Sequence, residues 1–107
     1  MCSRMTSVLL AATLGLLAAP VFADGDAGAG RQKAETCMGC HGIKGYFNIY
    51  PTYHVPKLGG QGAKYIASAL KAYQQGTRTH GTMHANAESL NDQDIADIAA
   101  FLENYED

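Results

Sequence analysis

The motif Cys37-Met38-Gly39-Cys40-His41 contains two cysteines separated by two residues, with a histidine directly after them. This spacing is typical of the attachment site of a c-type haem, in which each thiol adds to one vinyl group of the porphyrin. Both sulfurs would then lie along one edge of the ring, with the histidine beneath the iron as its fifth ligand. The motif therefore predicts one covalently attached haem c, held by Cys37, Cys40 and His41.

Two other kinds of site use paired cysteines. A structural zinc site needs four ligands, usually two such pairs, and the second pair would have to come from scattered histidines. A redox-active disulfide of the thioredoxin type lies in a βαβ unit, and no segment of this sequence alternates clearly enough to predict a strand. The histidine directly after Cys40 favours haem over both, and the export signal described next provides the exported context that disulfide and haem chemistry both need.

Residues 1–23 have the pattern of a secretory signal peptide. Arg4 provides a positive charge, an apolar run follows, and small or aliphatic residues precede a cleavage position after Ala23. A membrane anchor is the alternative, but the run is shorter than the roughly 20 apolar residues that a span needs, and Pro20 ends it. We therefore expect cleavage, a periplasmic location, and a mature domain over residues 24–107.

The size and charge of the mature domain limit what it can be. Its length is close to that at which a hydrophobic core alone is marginal, so a haem would supply missing apolar bulk. No Lys or Arg follows Arg78, whereas seven of the ten acidic residues do. This distribution argues against a nucleic-acid-binding protein, which needs a concentrated basic face.

Hydrophobic periodicity predicts three helices and long irregular segments between them. The helices are expected up to about Cys37, over 62–75 with Gly76 as the stop, and from an N-cap at Asn91 to about Tyr105. Residues 42–61 and 77–90 show no sustained periodicity. Loops of this length are uncommon in a compact domain, but they are reasonable where the chain wraps a large flat ligand.

Several blocks of the mature sequence match the pattern of a known family. They are Gly25-Asp26 with Gly30, Cys37-Met38-Gly39-Cys40-His41-Gly42, Pro56-Lys57-Leu58-Gly59-Gly60-Gln61, Met83, and the segment 90–101. From Gly25 to Tyr105 the chain resembles a class I cytochrome c, and most closely the small bacterial periplasmic branch that includes cytochromes c4 and c553. The resemblance implies an all-α class I cytochrome c fold, with three main helices and long loops wrapping one covalently bound haem.

The same resemblance implies roles for residues outside the cysteine motif. The carbonyl of Pro56 would bond the ring nitrogen of His41 that faces away from the iron, which fixes the ring and tunes the metal. The family's first and last helices cross closely, so Gly30 and Ala34 would meet Phe101 and its neighbours.

Met83 is the expected sixth ligand of the iron. It lies on the C-terminal side of the motif, in a segment that we expect to be irregular, where this family places its ligand. A thioether also suits an electron carrier, because Met/His ligation raises the reduction potential. A lone methionine is more usually a filler of gaps in the core, and His80 and His84 flank Met83 as alternative ligands.

Together these expectations describe a periplasmic monohaem cytochrome that carries one electron at a time and is not an enzyme. Its partners would be other redox proteins of the periplasm or of a membrane respiratory chain, with no nucleic acid and no stable membrane insertion after cleavage. One alternative is a cytochrome subunit of a larger redox complex, with the aromatic loop from Tyr46 to Tyr53 as the contact. Another is a haem enzyme or gas sensor with a labile sixth ligand.

Overall fold

The computed structural model describes residues 24–106, so the expected signal peptide lies outside the described residues. In this part of the chain the helices are α1 (Ala27–Lys33), α2 (Glu35–His41), α3 (Ala63–Gln75), α4 (Gly81–Ala87) and α5 (Asp92–Glu103), and the strands are β1 (Phe47–Asn48) and β2 (Tyr53–His54). The strands pair antiparallel, with Phe47 opposite His54. The predicted all-α fold class is confirmed. None of these helices is long and apolar enough to cross a membrane.

The three predicted helices are present, with two changes at the first of them. The chain turns at Ala34, whose N–H bonds the carbonyls of Gln32 and Gly30, so the predicted N-terminal helix is two helices. The second, α2, contains the whole cysteine motif and ends at His41. The predicted stop at Gly76 is confirmed, since this glycine has a φ of 75°, in the left-handed region that favours glycine.

Two expectations about the segments between the helices are wrong. Residues 77–90 are not irregular throughout, because α4 lies within them. This helix has seven residues and buries only Ala87, so it presents no apolar stripe long enough to show periodicity. The segment 42–61 contains the two strands, each of two residues, which is too short for an alternating pattern to be recognised.

The predicted close crossing of the first and last helices is confirmed. A Cβ atom added at Gly30 would lie 1.9 Å from the carbonyl oxygen of Asp97 and 2.9 Å from Cβ of Phe101. At Gly25 the added atom would lie 2.0 Å from the carbonyl oxygen of Ala96. The backbone of α5 therefore touches that of α1 at Gly30 and that of the residue before the N-cap at Gly25, because glycine has no side chain. The buried core beside this crossing consists of Ala34, Ile66, Leu70, Ala87, Ile95, Ile98, Ala99 and Leu102.

A buried carboxylate joins the two crossing helices. Asp97 is only 3% exposed, and it accepts hydrogen bonds from Nζ of Lys33 at 2.6 Å, from the backbone N–H of Asp26 at 2.8 Å and from Nε2 of Gln93 at 2.7 Å. Lys33 also pairs with Asp94 at 2.8 Å. The hydrogen bond from Lys33, followed by those from Asp26 and Gln93, lowers the pKa of Asp97 to about 2. The sequence patterns did not distinguish this carboxylate from its solvated neighbours.

The close crossing predicts that Gly30→Ala destabilises the protein. The new methyl group would overlap the backbone of Asp97, so the helices would have to move apart, and we expect the free energy of unfolding to fall by roughly 1–3 kcal/mol. Gly28→Ala is the control, because its added Cβ meets only the side-chain oxygen of Asp26, at 3.1 Å. Urea denaturation followed by circular dichroism measures both. Equal stability of the two variants would contradict the crossing.

The Asp97 contacts predict a specific loss of stability in acid. Because the folded-state pKa of Asp97, about 2, lies below the unfolded value of about 3.9, its contribution is complete above pH ~4 and is lost as the pH falls from ~4 to ~2. We expect Asp97→Asn to be less stable than wild type at pH 7, with the difference shrinking across that interval. Urea midpoints from pH 7 to pH 2 measure it. The exposed Asp92→Asn control should show a smaller difference, and a pH-independent gap for Asp97→Asn would refute the prediction.

Candidate functional site

A cavity of about 390 Å³ opens beside the cysteine motif. Four of the core side chains belong to its apolar wall: Ile66 and Leu70 from α3, and Ile98 and Leu102 from α5. Residues of α2, β2 and α4, further residues of α3, the loop after β2 and the segment between α3 and α4 complete the lining. An apolar cavity with a few convergent donor groups is the usual form of a cofactor site.

The two cysteines line this cavity at different depths. They are three residues apart on α2, a spacing that puts both on the same face of a helix. Cys37 is half-buried and Cys40 is exposed. Burial raises the pKa of the Cys37 thiol, so this thiol stays neutral at ordinary pH. The arrangement presents one sulfur inside the cavity and one at its rim.

The ring of His41 is oriented by the backbone of the following loop. Its Nδ1 lies 2.6 Å from the carbonyl oxygen of Pro56. Because a carbonyl oxygen only accepts, Nδ1 carries the proton in this contact. The neutral ring therefore keeps its lone pair on Nε2, the form in which an imidazole binds a metal. His41 and Pro56 both line the cavity, so the donor nitrogen belongs to this site.

The structure separates the three candidates for the sixth ligand. Met83 on α4 is partly buried and lines the cavity, and so does His80. The ring of His80 is engaged as the N-cap of α4, where its Nδ1 accepts the N–H of Met83 at 3.4 Å. His84 is exposed, and its Nδ1 lies 2.8 Å from the carbonyl oxygen of Tyr73. The structure thus brings Met83 and His80 to the cavity and directs His84 to the backbone of α3.

The aromatic loop is divided between the cavity and solvent. Tyr53 lines the cavity, and its hydroxyl lies 3.1 Å from Oγ1 of Thr82 on α4. Tyr50, in contrast, is 93% exposed. The contact between Tyr53 and Thr82 joins residues 29 positions apart, so no local pattern of the sequence indicated it.

Arg78 is a cavity residue that the sequence patterns did not single out. Its guanidinium lies 4.9 Å from the centre of the Tyr73 ring, and Nη1 donates to the hydroxyl of Tyr65 at 3.4 Å. This hydrogen bond raises the pKa of Arg78, which keeps its charge at every relevant pH. One feature of the sequence could have indicated this residue, since Arg78 is the last Lys or Arg of the chain. Its guanidinium gives the cavity wall a positive charge.

The lining agrees chemically with a c-type haem. It offers two thiols from one helix, an imidazole with a free donor nitrogen, a thioether from another element, and an apolar wall. The zinc alternative finds less support, because within residues 24–106 no three His, Cys, Asp or Glu side chains come together as ligands for a metal ion. The residues present therefore fit a haem.

Comparison with known proteins gives one family. The family model described as cytochrome c matches residues 26–106. Cytochrome c-554(548) of Halomonas halodenitrificans is 46% identical over 85 residues, which are 77% of this chain and 99% of that protein. Cytochrome c4 of Pseudomonas aeruginosa is 43% identical over 98 residues, which are 92% of this chain and 46% of that protein.

Two solved structures that resemble this chain are also cytochromes c4. The crystal structure of reduced recombinant cytochrome c4 from Pseudomonas stutzeri matches 78% of this chain and 51% of that chain, with a TM-score of 0.57 and 25% identity. The cytochrome c4 structure of Acidithiobacillus ferrooxidans matches 76% of this chain and 51% of that chain, with a TM-score of 0.58 and 29% identity. The chain spans nearly the whole of cytochrome c-554(548) and about half the length of the cytochromes c4 that it matches.

Proposed function

This chain belongs to the cytochrome c family, and from that premise we propose that it binds one haem c and carries single electrons between redox proteins. The observation that carries the proposal is that Cys37, Cys40, His41 and Met83 line one apolar cavity. A single Cys-x-x-Cys-His motif in the sequence supports one haem for this chain, although the cytochromes c4 that it matches are about twice as long.

Each lining group has a role in this proposal. Cys37 and Cys40 would form the thioethers, and His41 would bind the iron through Nε2 while Pro56 holds its other nitrogen. Met83 would bind the iron through its thioether sulfur. When bound, the haem supplies an iron centre that changes between two oxidation states. With His41 and Met83 both bound to the iron, little of the protein would have to rearrange during transfer.

The surrounding residues control how easily the electron is taken up. The apolar wall from α3 and α5 excludes water, and with a thioether ligand this favours the reduced state. Arg78 is a fixed positive group at the wall, suited to carboxylates of a bound cofactor. No nucleophile or general base is required for this activity. Cys40 is exposed at the cavity, so a bound cofactor would be accessible to a redox partner on this side.

The location follows from residues outside the described part of the chain. We propose that residues 1–23 direct export and are removed after Ala23, which leaves the cytochrome domain of residues 24–107 in the periplasm. The pattern of charge, apolar run and small residues supports this. The partners then belong to the periplasm or to a membrane respiratory chain.

A visible and near-infrared spectrum tests the proposed cofactor and its ligands. We expect sharp c-type bands on reduction, and in the oxidised protein the weak long-wavelength band that accompanies methionine ligation of ferric haem, which we call the methionine–iron band. Met83→Ala should lose this band because the thioether is removed, while the reduced bands persist. Met38→Leu is the control, since Met38 lies within the cysteine motif on α2 and its replacement conserves volume.

Each failure of that spectrum has a distinct meaning. Absence of haem bands in protein matured with haem-attachment machinery overturns the proposal. Haem bands without the methionine–iron band would exclude Met83 and favour His80, the other candidate that lines the cavity. Tight binding of carbon monoxide by the native reduced protein would instead support an open site, as in a haem enzyme or sensor.

A second candidate function is that of a fixed subunit in a larger redox complex. Three large apolar side chains of the aromatic loop are exposed: Phe47 by 57%, Ile49 by 67% and Tyr50 by 93%. Residues 45–56 contain no Asp, Glu, Lys or Arg. Aromatic enrichment and depletion of charge are features of the centre of a protein interface, and exposed apolar patches mark interaction sites.

Size-exclusion chromatography of a native extract distinguishes the subunit from the free carrier. A subunit should elute at a larger apparent size than the purified chain, and Ile49→Asp should shift it to the size of the free chain, because a charge opposes burial of the loop. Lys64→Ala, an exposed change on α3, is the control and should leave the elution unchanged. Elution of the wild type as a free chain would reject the subunit and support the carrier.

A further inference from the structure

The helix that carries Met83 is too short to be stable by itself. Helix α4 has seven residues, and isolated helices shorter than about 12–15 residues are marginal in water. Within it only Ala87 is buried, and Met83 is partly buried. The position of Met83 therefore depends on contacts from other elements.

The C-terminal half of α4 is anchored to α3. Nε2 of Gln74 donates to the carbonyl oxygens of Ala87 at 2.8 Å and of Leu90 at 2.6 Å. His84 contacts the carbonyl oxygen of Tyr73 at 2.8 Å. These bonds fix the end of α4 that lies beyond Met83. At the other end, α3 contributes the ring of Tyr73, whose centroid lies 6.5 Å from that of the His80 ring.

The first turn of α4 is held by Tyr53 of β2. The Tyr53 hydroxyl lies 3.1 Å from Oγ1 of Thr82. The Tyr53 ring meets the ring of His80 edge to face, with the centroids 4.7 Å apart and an interplanar angle of 84°. His80 in turn accepts the backbone N–H of Met83. One side chain thus contacts two residues of the turn that contains Met83, and all four residues line the same cavity.

We propose that Tyr53 is a positioning residue for Met83, which it keeps directed into the cavity by holding the first turn of α4 through Thr82 and His80. The inference rests on the proposed function, because Met83 is an axial ligand only if the chain binds a haem. The Tyr53–Thr82 bond and the ring contact exist while this turn is in place, and both break when the turn moves away with Met83. Tyr53 therefore sets the fraction of molecules in which the sixth position is closed.

Carbon monoxide gives a direct measure of that fraction. In the reduced protein it competes with Met83 for the iron, so its apparent affinity rises as the closed fraction falls. Tyr53→Phe removes one solvent-exposed hydrogen bond and keeps the ring, and we expect the apparent affinity for carbon monoxide to rise about 2- to 5-fold. Tyr53→Ala also removes the ring contact, and the rise should be on the order of 10-fold or more.

Thr82→Val removes the same hydrogen bond from the other side. It should raise the carbon monoxide affinity as much as Tyr53→Phe does, and the double variant should show no further rise, because both changes delete one interaction. Tyr50→Phe is the matched control, since it removes a phenolic hydroxyl from the same loop at a side chain that is 93% exposed. Reduced c-type bands and the far-ultraviolet circular dichroism of each variant establish that it carries haem and is folded.

The outcomes separate this inference from the proposed function. A wild-type protein without the methionine–iron band rejects Met83 as ligand, and the positioning role falls with it. A wild-type protein with that band, together with Tyr53→Phe and Thr82→Val variants that bind carbon monoxide no better than Tyr50→Phe, overturns the positioning role alone. Equal rises in the two variants and no further rise in the double variant support it.

Discussion

The close approach of α1 and α5 is the constraint on which the rest of the structure depends. At Gly30 the two backbones leave no room for a single methyl group, so the crossing fixes where each helix can lie. Only Ala34 separates α1 from α2, and the direction of the cysteine motif follows from that of α1. On the other side of the crossing, α5 presents Ile98 and Leu102 to the cavity. The crossing therefore determines the position of α2, which contains the cysteine motif, and of the part of the cavity wall that α5 forms.

The loop that orients His41 is tied to the same crossing. The N–H of Gly60 donates to the carbonyl oxygen of Leu102 at 2.9 Å, which joins the loop after Pro56 to the end of α5. Pro56 then meets His41 at the end of α2. The contact that fixes the imidazole is thus held from both sides by elements that the crossing organises. The core of a small domain contributes little stability by itself. Here Ile98 and Leu102 belong both to that core and to the cavity wall.

What the sequence predicted correctly is what local spacing encodes. The cysteine motif is contiguous, the stripe of α3 repeats along 13 residues, and the N-cap at Asn91 forms the reciprocal pair with Asp94 that such a start favours. The wrong predictions concern segments that lack such spacing, because α4 and the two strands are too short to show a hydrophobic period. Asp97 resembles its acidic neighbours in sequence, and only the approach of Lys33 and Asp26 from α1 and its cap distinguishes it.

The His41 side and the Met83 side of the cavity differ in how firmly the rest of the structure holds them. His41 ends a helix that follows directly from the crossing, and its partner Pro56 lies in a loop bonded to α5. Met83 lies on a short helix whose position rests on side-chain contacts from α3 and β2. Segments with few buried apolar contacts open at lower free-energy cost than the core does. The chain therefore holds His41 through its backbone framework and holds Met83 through side-chain contacts, so substitutions in β2 or α4 can move Met83 while the crossing and the His41–Pro56 contact stay intact.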